Sequence, residues 1–327
     1  MPWTPASARK ADAGTHPNAG VPAMSLLHNI QAAVAASGAH MGIAIHHLES
    51  GETLELNADE PFPLCSVLKI PVLVEAFRQL REGRFRLDDR WELTLAEKNL
   101  PSGVLVFLQD GLQPTVQDLL TLMIIISDNT ATDMLMHRLG VARINQTMHE
   151  LGLADTHIAL TIREIFDDML GEASDPRRAF TDLDRFQEPP PVRRDGRAFS
   201  TGPDNDVGTP RDMTRLLTLI FRGEVVDREA CDQMLHILLQ QQLNTRLPLF
   251  LPEGVPFAHK TGTLSGIRND AGILYASPTS HVAISVFSRW DAGEVAGDPV
   301  AEWRRTTAID EAFGRIGRLV YDHYTTR

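Results

Sequence analysis

Three short strings hold the residue types that serine chemistry needs: Cys65-Ser66-Val67-Leu68-Lys69, Ser127-Asp128-Asn129 and Lys260-Thr261-Gly262. A serine hydroxyl is a poor nucleophile until a base takes its proton. Lysine serves as that base when burial or a second nearby cation destabilises its ammonium. Ser66 and Lys69 are three residues apart, a spacing that shares one face of a helix, so Lys69 can reach the Ser66 hydroxyl. Lys260 is the natural second cation. Ser127 would relay a proton to the departing nitrogen, and Asn129 would orient Lys69 or a substrate amide. The backbone N–H groups of Ser66 and Thr263 would form an oxyanion hole, with Lys260 and Thr261 gripping a substrate carboxylate. Cys65 is either a small buried neighbour of Ser66 or a rival thiol nucleophile.

Each string is weak alone. The S-x-x-K pattern recurs at Ser7-Ala8-Arg9-Lys10, without companions. Asp128 is an ordinary helix N-cap, and Lys260-Thr261-Gly262 could be a plain turn. Together, in this order, they point to a catalytic constellation. Pro71 has no N–H to give the Val67 carbonyl, so the helix should start irregularly at the nucleophile.

The elements that must hold these residues follow from periodicity. Helical spacing is predicted over 25–37, 66–80, 115–126, 129–139, 141–151, 210–222, 227–241 and 300–321. Met41–Ile45 and Thr53–Leu56 alternate as a hairpin, and Ala271–Ala276 and His281–Phe287 form a second pair of strands. Strands from both chain ends around a helical block imply an α+β fold, one antiparallel sheet with a helical subdomain of about 66–255 set into it. Residues 1–24, rich in Ala, Pro, Gly, Ser and Thr, are expected to be a disordered tail, and 25–327 the catalytic domain. A Pro-rich insertion of about 175–206 reads as a surface loop, with room for a short helix at Ala179–Phe186.

Composition narrows the function. A formal charge of −12 argues against nucleic acid or an anionic membrane as partner. The longest apolar stretch, Leu119–Ile126, is too short to span a bilayer, and residues 1–24 lack the apolar core of a secretory signal. The chain as written is therefore expected in the cytoplasm, or in the periplasm or outside the cell if the assigned start is wrong; Met24 is a second candidate start. Two cysteines permit at most one disulfide. The 12 histidines show no metal-ligand spacing and no nucleotide loop is present, so no metal or other cofactor is expected. His46 and His47 should point to opposite faces of a strand, and His259 could tune Lys260.

With these motifs, with Ser127-Asp128-Asn129-Thr130-Ala131-Thr132-Asp133-Met134-Leu135 and with the helix start at Thr209-Pro210, the chain resembles the class A β-lactamase and penicillin-recognising serine hydrolase family over roughly 25–324. The resemblance implies catalytic roles for Ser66, Lys69 and Ser127, and substrate binding by Asn129, Lys260, Thr261, Gly262 and Thr263. It also implies a glutamate on a loop after Ser127-Asp128-Asn129 that activates the deacylating water. The family's E-x-x-L-N string is absent here; Glu164 is the candidate, with Asp168 where the asparagine would stand. Arg268 is the candidate for the family's arginine beyond Lys260-Thr261-Gly262. Three functions compete: a monomeric β-lactamase acting on a small-molecule β-lactam or related amide through a Ser66 acyl-enzyme, a related hydrolase of a peptide, amide or ester, and a non-catalytic ligand sensor.

Overall fold

The computed structural model describes residues 23–100, 102–171, 173 and 193–325. The tail and its Ser7–Lys10 copy, the possible helix at 179–186 and the Pro189–Pro191 run lie outside the described residues. The main sheet has five antiparallel strands: β1 (His40–His47), β2 (Thr53–Leu56), β5 (Phe257–Leu264), β6 (Ile267–Ser277) and β7 (Ser280–Arg289), ordered β2-β1-β7-β6-β5. Central β7 alternates Val282, Ile284 and Val286 on one face with Ala283, Ser285 and Phe287 on the other, all buried. A strand covered on both sides must be apolar on both.

The first face is covered by α1 (Ala23–Ser37) and α9 (Pro299–Tyr324), which share a core of Leu26, Ile30, Ile309, Phe313 and Ile316 with Met41, Ile43 and Ile284. The second face carries the remaining helices: α2 (Lys69–Arg81), α3 (Val116–Ile125), α4 (Asn129–Leu139), α5 (Val141–Glu150), α6 (Ile162–Leu170), α7 (Pro210–Arg222) and α8 (Arg228–Leu238). Helix α7 lies directly on the sheet, where the Thr214 hydroxyl donates to Ala44 O at 3.1 Å and meets Ser285 Oγ at 2.8 Å. Almost every residue of α2 is buried, which makes it the axis of the helical layer. No helix among the described residues is long and apolar enough to cross a membrane.

One feature differs from expectation. Residues 161–170 form a helix rather than a loop. Thr161 caps it, Glu164 closes a capping box, and Ile162, Ile165 and Met169 are buried at helical spacing. The described part of the 175–206 segment, residues 193–206, is an irregular stretch tied down at a few points. The Arg193 N–H donates to Met169 O, and a short turn at Arg197–Phe199 seats the Ala198 N–H on Asp168 Oδ2 at 3.0 Å. The segment ends in a two-stranded ladder, β3 (Phe62–Pro63) with β4 (Val207–Gly208), just before Ser66.

The α1–α9 face holds the sheet that carries β5. Ile30, fully buried there, is expected to cost about 2–5 kcal/mol as Ile30→Ala. Urea unfolding should show a lower midpoint with an unchanged slope.

Candidate active site

Ser66 occupies a 3-10 turn, Cys65–Leu68, and Lys69 opens α2 directly after it. The irregular start fits a helix with proline at its third position. Cys65 has φ +49°, the left-handed region that non-glycine residues seldom adopt, so strain is stored beside the nucleophile. The turn is fastened from the sheet. Asn269 Nδ2 donates to Pro63 O at 2.8 Å and to Leu64 O at 3.2 Å. At Gly262 a Cβ would stand 2.6 Å from Leu64 O, so glycine is what lets β5 run against this turn. Burial pushes the Cys65 thiol up to about 12, which rules it out as a nucleophile near neutral pH. Cys65 and Cys231 are both free and buried, so the one possible disulfide does not form.

Lys69 is fully buried. Its Nζ donates to Ser127 O at 2.8 Å, Asn129 Oδ1 at 2.9 Å and Ser127 Oγ at 3.0 Å. Desolvation lowers it to about 7, against the opposing pull of Asp128 and Asp133. It is therefore a base near neutral pH. The half-buried Ser66 hydroxyl has no hydrogen bond among the described residues, and the Lys69 amine rests on Ser127 and Asn129 instead. Such contacts commonly tighten when substrate arrives.

Ser127 links α3 to α4 with φ +59°. Its Oγ also meets Lys260 Nζ, at 3.1 Å, so one hydroxyl bridges both lysines. Lys260 is fully buried and held well below its usual pKa, first by desolvation, then by the Lys69 and Arg246 cations. Its amine also donates to Thr261 O at 2.8 Å. Asp128 caps α4 through Ala131 N at 2.9 Å and takes the Val104 and Leu105 N–H groups at 2.6 and 2.9 Å. This carboxylate thus ties the 102–105 segment to the Ser127 corner. His259, behind Lys260, lies buried between Asp270 at 2.8 Å and Asn244 at 3.0 Å. His46 meets Thr218 at 3.2 Å, while His47 turns to Ser50 at 2.7 Å.

One residue escaped the sequence reading. Arg246, almost fully buried, donates to Gly262 O at 2.8 Å, Asn269 O at 2.6 Å and Thr263 Oγ1 at 2.5 Å. Arg268, the candidate from sequence, instead donates to Leu264 O at 3.2 Å and Ile267 O at 3.1 Å. No local pattern marks Arg246; its partners lie on β5 and β6.

These elements enclose a cleft of about 350 Å³. Ser66, Ser102, Ser127, Asn129, Thr261 and Thr263 line its polar part, and Ile162, Ile165, Phe166, Leu243 and Leu264 supply apolar walls, with Cys65 beside Ser66. No carboxylate is among the described lining residues. Glu164 is exposed, and its carboxylate accepts the Thr161 N–H at 2.7 Å, closing the capping box. Glu164, the sequence candidate for activating water, thus lies outside the described cleft lining, to which α6 presents Ile162, Ile165 and Phe166. Among the described residues no group of three His, Cys, Asp or Glu side chains could hold a metal ion.

Residues 25–324 match the model of the beta-lactamase enzyme family. The chain belongs to that family. A β-lactamase from Sphaerobacter thermophilus is 28% identical, with a TM-score of 0.70 over 92% of this chain and 97% of its own. A mutant of PBP-A, solved as its acyl-enzyme complex with penicillin G, is 26% identical, with a TM-score of 0.70 over 93% of this chain and 97% of its own. Beta-lactamase VEB-1 of Pseudomonas aeruginosa is 24% identical over 93% of this chain and 91% of that protein. The α+β fold and the assignment to serine hydrolases of the class A β-lactamase type agree with this membership.

In this β-lactamase-family chain, Glu164→Ala should weaken α6 by about 0.3–1.5 kcal/mol, the usual worth of a capping interaction. Penicillin turnover should stay within about twofold of wild type. A fall of about a hundredfold or more would restore Glu164 as the water-activating base.

Proposed function

We propose that the protein opens β-lactam rings by acylation of Ser66, with Lys69 as general base, and that its acyl-enzyme is long-lived. The observation that carries this is one hydroxyl, Ser127 Oγ, shared by two buried lysines in a cleft whose described lining has no carboxylate.

Neutral Lys69 takes the Ser66 proton as Oγ bonds to the ring carbonyl carbon. The Ser66 and Thr263 N–H groups are assigned to the oxyanion. As the C–N bond breaks, Ser127 gives its proton to the nitrogen and regains one from the Lys69 ammonium, so the protons balance. A substrate carboxylate falls to Thr261 and Thr263, with Lys260 and Arg246 behind them; its charge favours protonated Lys260. Gly262 serves by close approach rather than contact, and Asn129 by orienting Lys69.

With no carboxylate in the described lining, activation of the deacylating water is left to Lys69, already engaged with Ser127 and Asn129. That favours the second reading, in which β-lactams acylate the site and leave slowly while the natural substrate is another amide or ester. We further read residues 25–327 as one monomeric catalytic unit with a helical part of about 66–255, acting on small molecules rather than nucleic acid or membranes.

Time-resolved intact mass with benzylpenicillin tests the proposal. The protein should gain one persistent acyl adduct, and Ser66→Ala none. Lys69 is protonated below about pH 7 and neutral above it, so the acylation rate should rise with pH, half-maximal near 7, and then level off. An equal adduct on Ser66→Ala would sink the assignment of the nucleophile. Rapid ring opening with no lasting adduct would sink the slow release.

A further inference from the structure

We propose that Asp206 is a proton-dependent positioning residue, which holds the entry of α6 against the Ser66 turn most firmly when its carboxyl group is neutral. The observation behind it is a run of five consecutive backbone N–H groups, 159–163, all given to carboxylates. Ala159 and Leu160 donate to Asp206 Oδ1 at 2.7 and 2.9 Å, and Thr161 to Glu164 Oε2 at 2.7 Å. Ile162 and Arg163 donate to Asp133 Oδ1 and Oδ2 at 2.8 and 2.9 Å. Asp206 also reaches the nucleophile's side. Its carbonyl takes the Leu64 N–H at 2.8 Å, and Val207 pairs with Pro63. One residue thus joins the helix that walls the cleft to the turn that carries Ser66.

The three carboxylates repel one another and are unequally compensated. Glu164 is exposed, so water screens it. Asp133 is buried, but Asn99 Nδ2 adds a third hydrogen bond at 2.6 Å, and His137 and Arg163 stand near it. Asp206 is buried, forms no ion pair among the described residues, and leaves Oδ2 without a hydrogen-bond partner there. A buried charged oxygen with no donor costs more than a buried hydroxyl. A proton on Oδ2 removes that charge and leaves Oδ1 to accept both N–H groups. Burial first, with Glu164 and Asp133 adding to it, raises the Asp206 carboxyl to about 7 against the pull of the Leu160 and Ala159 N–H groups. Its other titratable neighbours are Cys65, a buried thiol, and His157, whose backbone pairs with Val207. An exposed aspartate titrates near about 4. Opening the α6 entry returns Asp206 to that range, so opening releases a proton between about pH 4 and 7. Resistance to opening is greatest below that window, falls as pH rises through it, and levels off above about 7. Lys69 becomes a base at the top of the same range, so the wall is firmest where Lys69 is protonated and idle.

The test is amide hydrogen exchange, read by mass spectrometry on peptides from 157–170 between about pH 5 and 8, with the intrinsic pH dependence divided out. Wild-type protection there should fall by up to about tenfold per pH unit from about 5 to 7 and then stay level, the mark of one proton. Asp206→Asn keeps an oxygen for the Ala159 and Leu160 N–H groups and cannot ionise. It should match wild type near pH 5, lose most of the fall, and exceed wild-type protection about tenfold or more near pH 7. A variant that only removed a structural contact would instead lose protection at every pH. Infrared spectra of wild-type protein with labelled aspartate carboxyl groups give a reading that needs no variant: a carboxylic acid band should be present near pH 5 and vanish with a midpoint near 7. Equal pH slopes in wild type and Asp206→Asn, protection lost at every pH, or no such band would overturn the inference. None of these outcomes bears on Ser66, whose acylation is measured separately.

Discussion

Two buried lysine amines meet on a single serine hydroxyl, and the rest of the structure is arranged to make that tolerable. An ammonium stripped of water is expensive unless its donors find acceptors or it gives up its proton. Lys69 has both outlets: three oxygens within 3.0 Å and a pKa lowered to about 7. Lys260 has two oxygens and two cationic neighbours, so its charged form is the more strained of the pair. An anionic substrate would relieve this repulsion, coupling its binding to the electrostatics of the lysine pair.

Rigid backbone brings the amines together. Ser127 is held at positive φ between two helices, pinned through its own carbonyl by Ser102 Oγ at 2.7 Å and through its neighbour Asp128. On the other side, β5 is brought against the Ser66 turn by the missing Cβ of Gly262 and clamped by Asn269 and Arg246. The second clamp places a buried guanidinium beside Thr263, so a single side chain both sets the strand and adds positive potential to the polar half of the cleft.

The opposite character of the α6 wall follows from the same economy of packing. A helix that begins with a capping box spends its first-turn carboxylate on its own N-terminus. Its inward face is then free to be hydrocarbon. Acylation needs a base, the role proposed for Lys69 on α2; deacylation also needs a polarised water, to which hydrocarbon side chains offer no hydrogen bond.

Local signals were strong for much of this molecule. The i, i+3 and i, i+4 apolar spacing of α2, α7 and α8 and the alternation in β1 and β7 are written in short windows, because each element must bury one stripe or face. The three motifs were legible for a similar reason: their chemistry depends on residue type. Glu164 shows the limit. Thr161-x-x-Glu164 is itself a capping signal, yet type and spacing matched a catalytic carboxylate equally well. Tertiary structure decided which way that side chain turns and that Ile165 and Phe166 line the cleft with Ser66. It likewise set Arg246 against β5 and β6, through partners 16 and 23 residues away along the chain, and buried Lys69 completely, which lowers its pKa. The sequence by itself determined which groups could react; packing determined their protonation and their neighbours, because desolvation and contact are properties of the assembled fold.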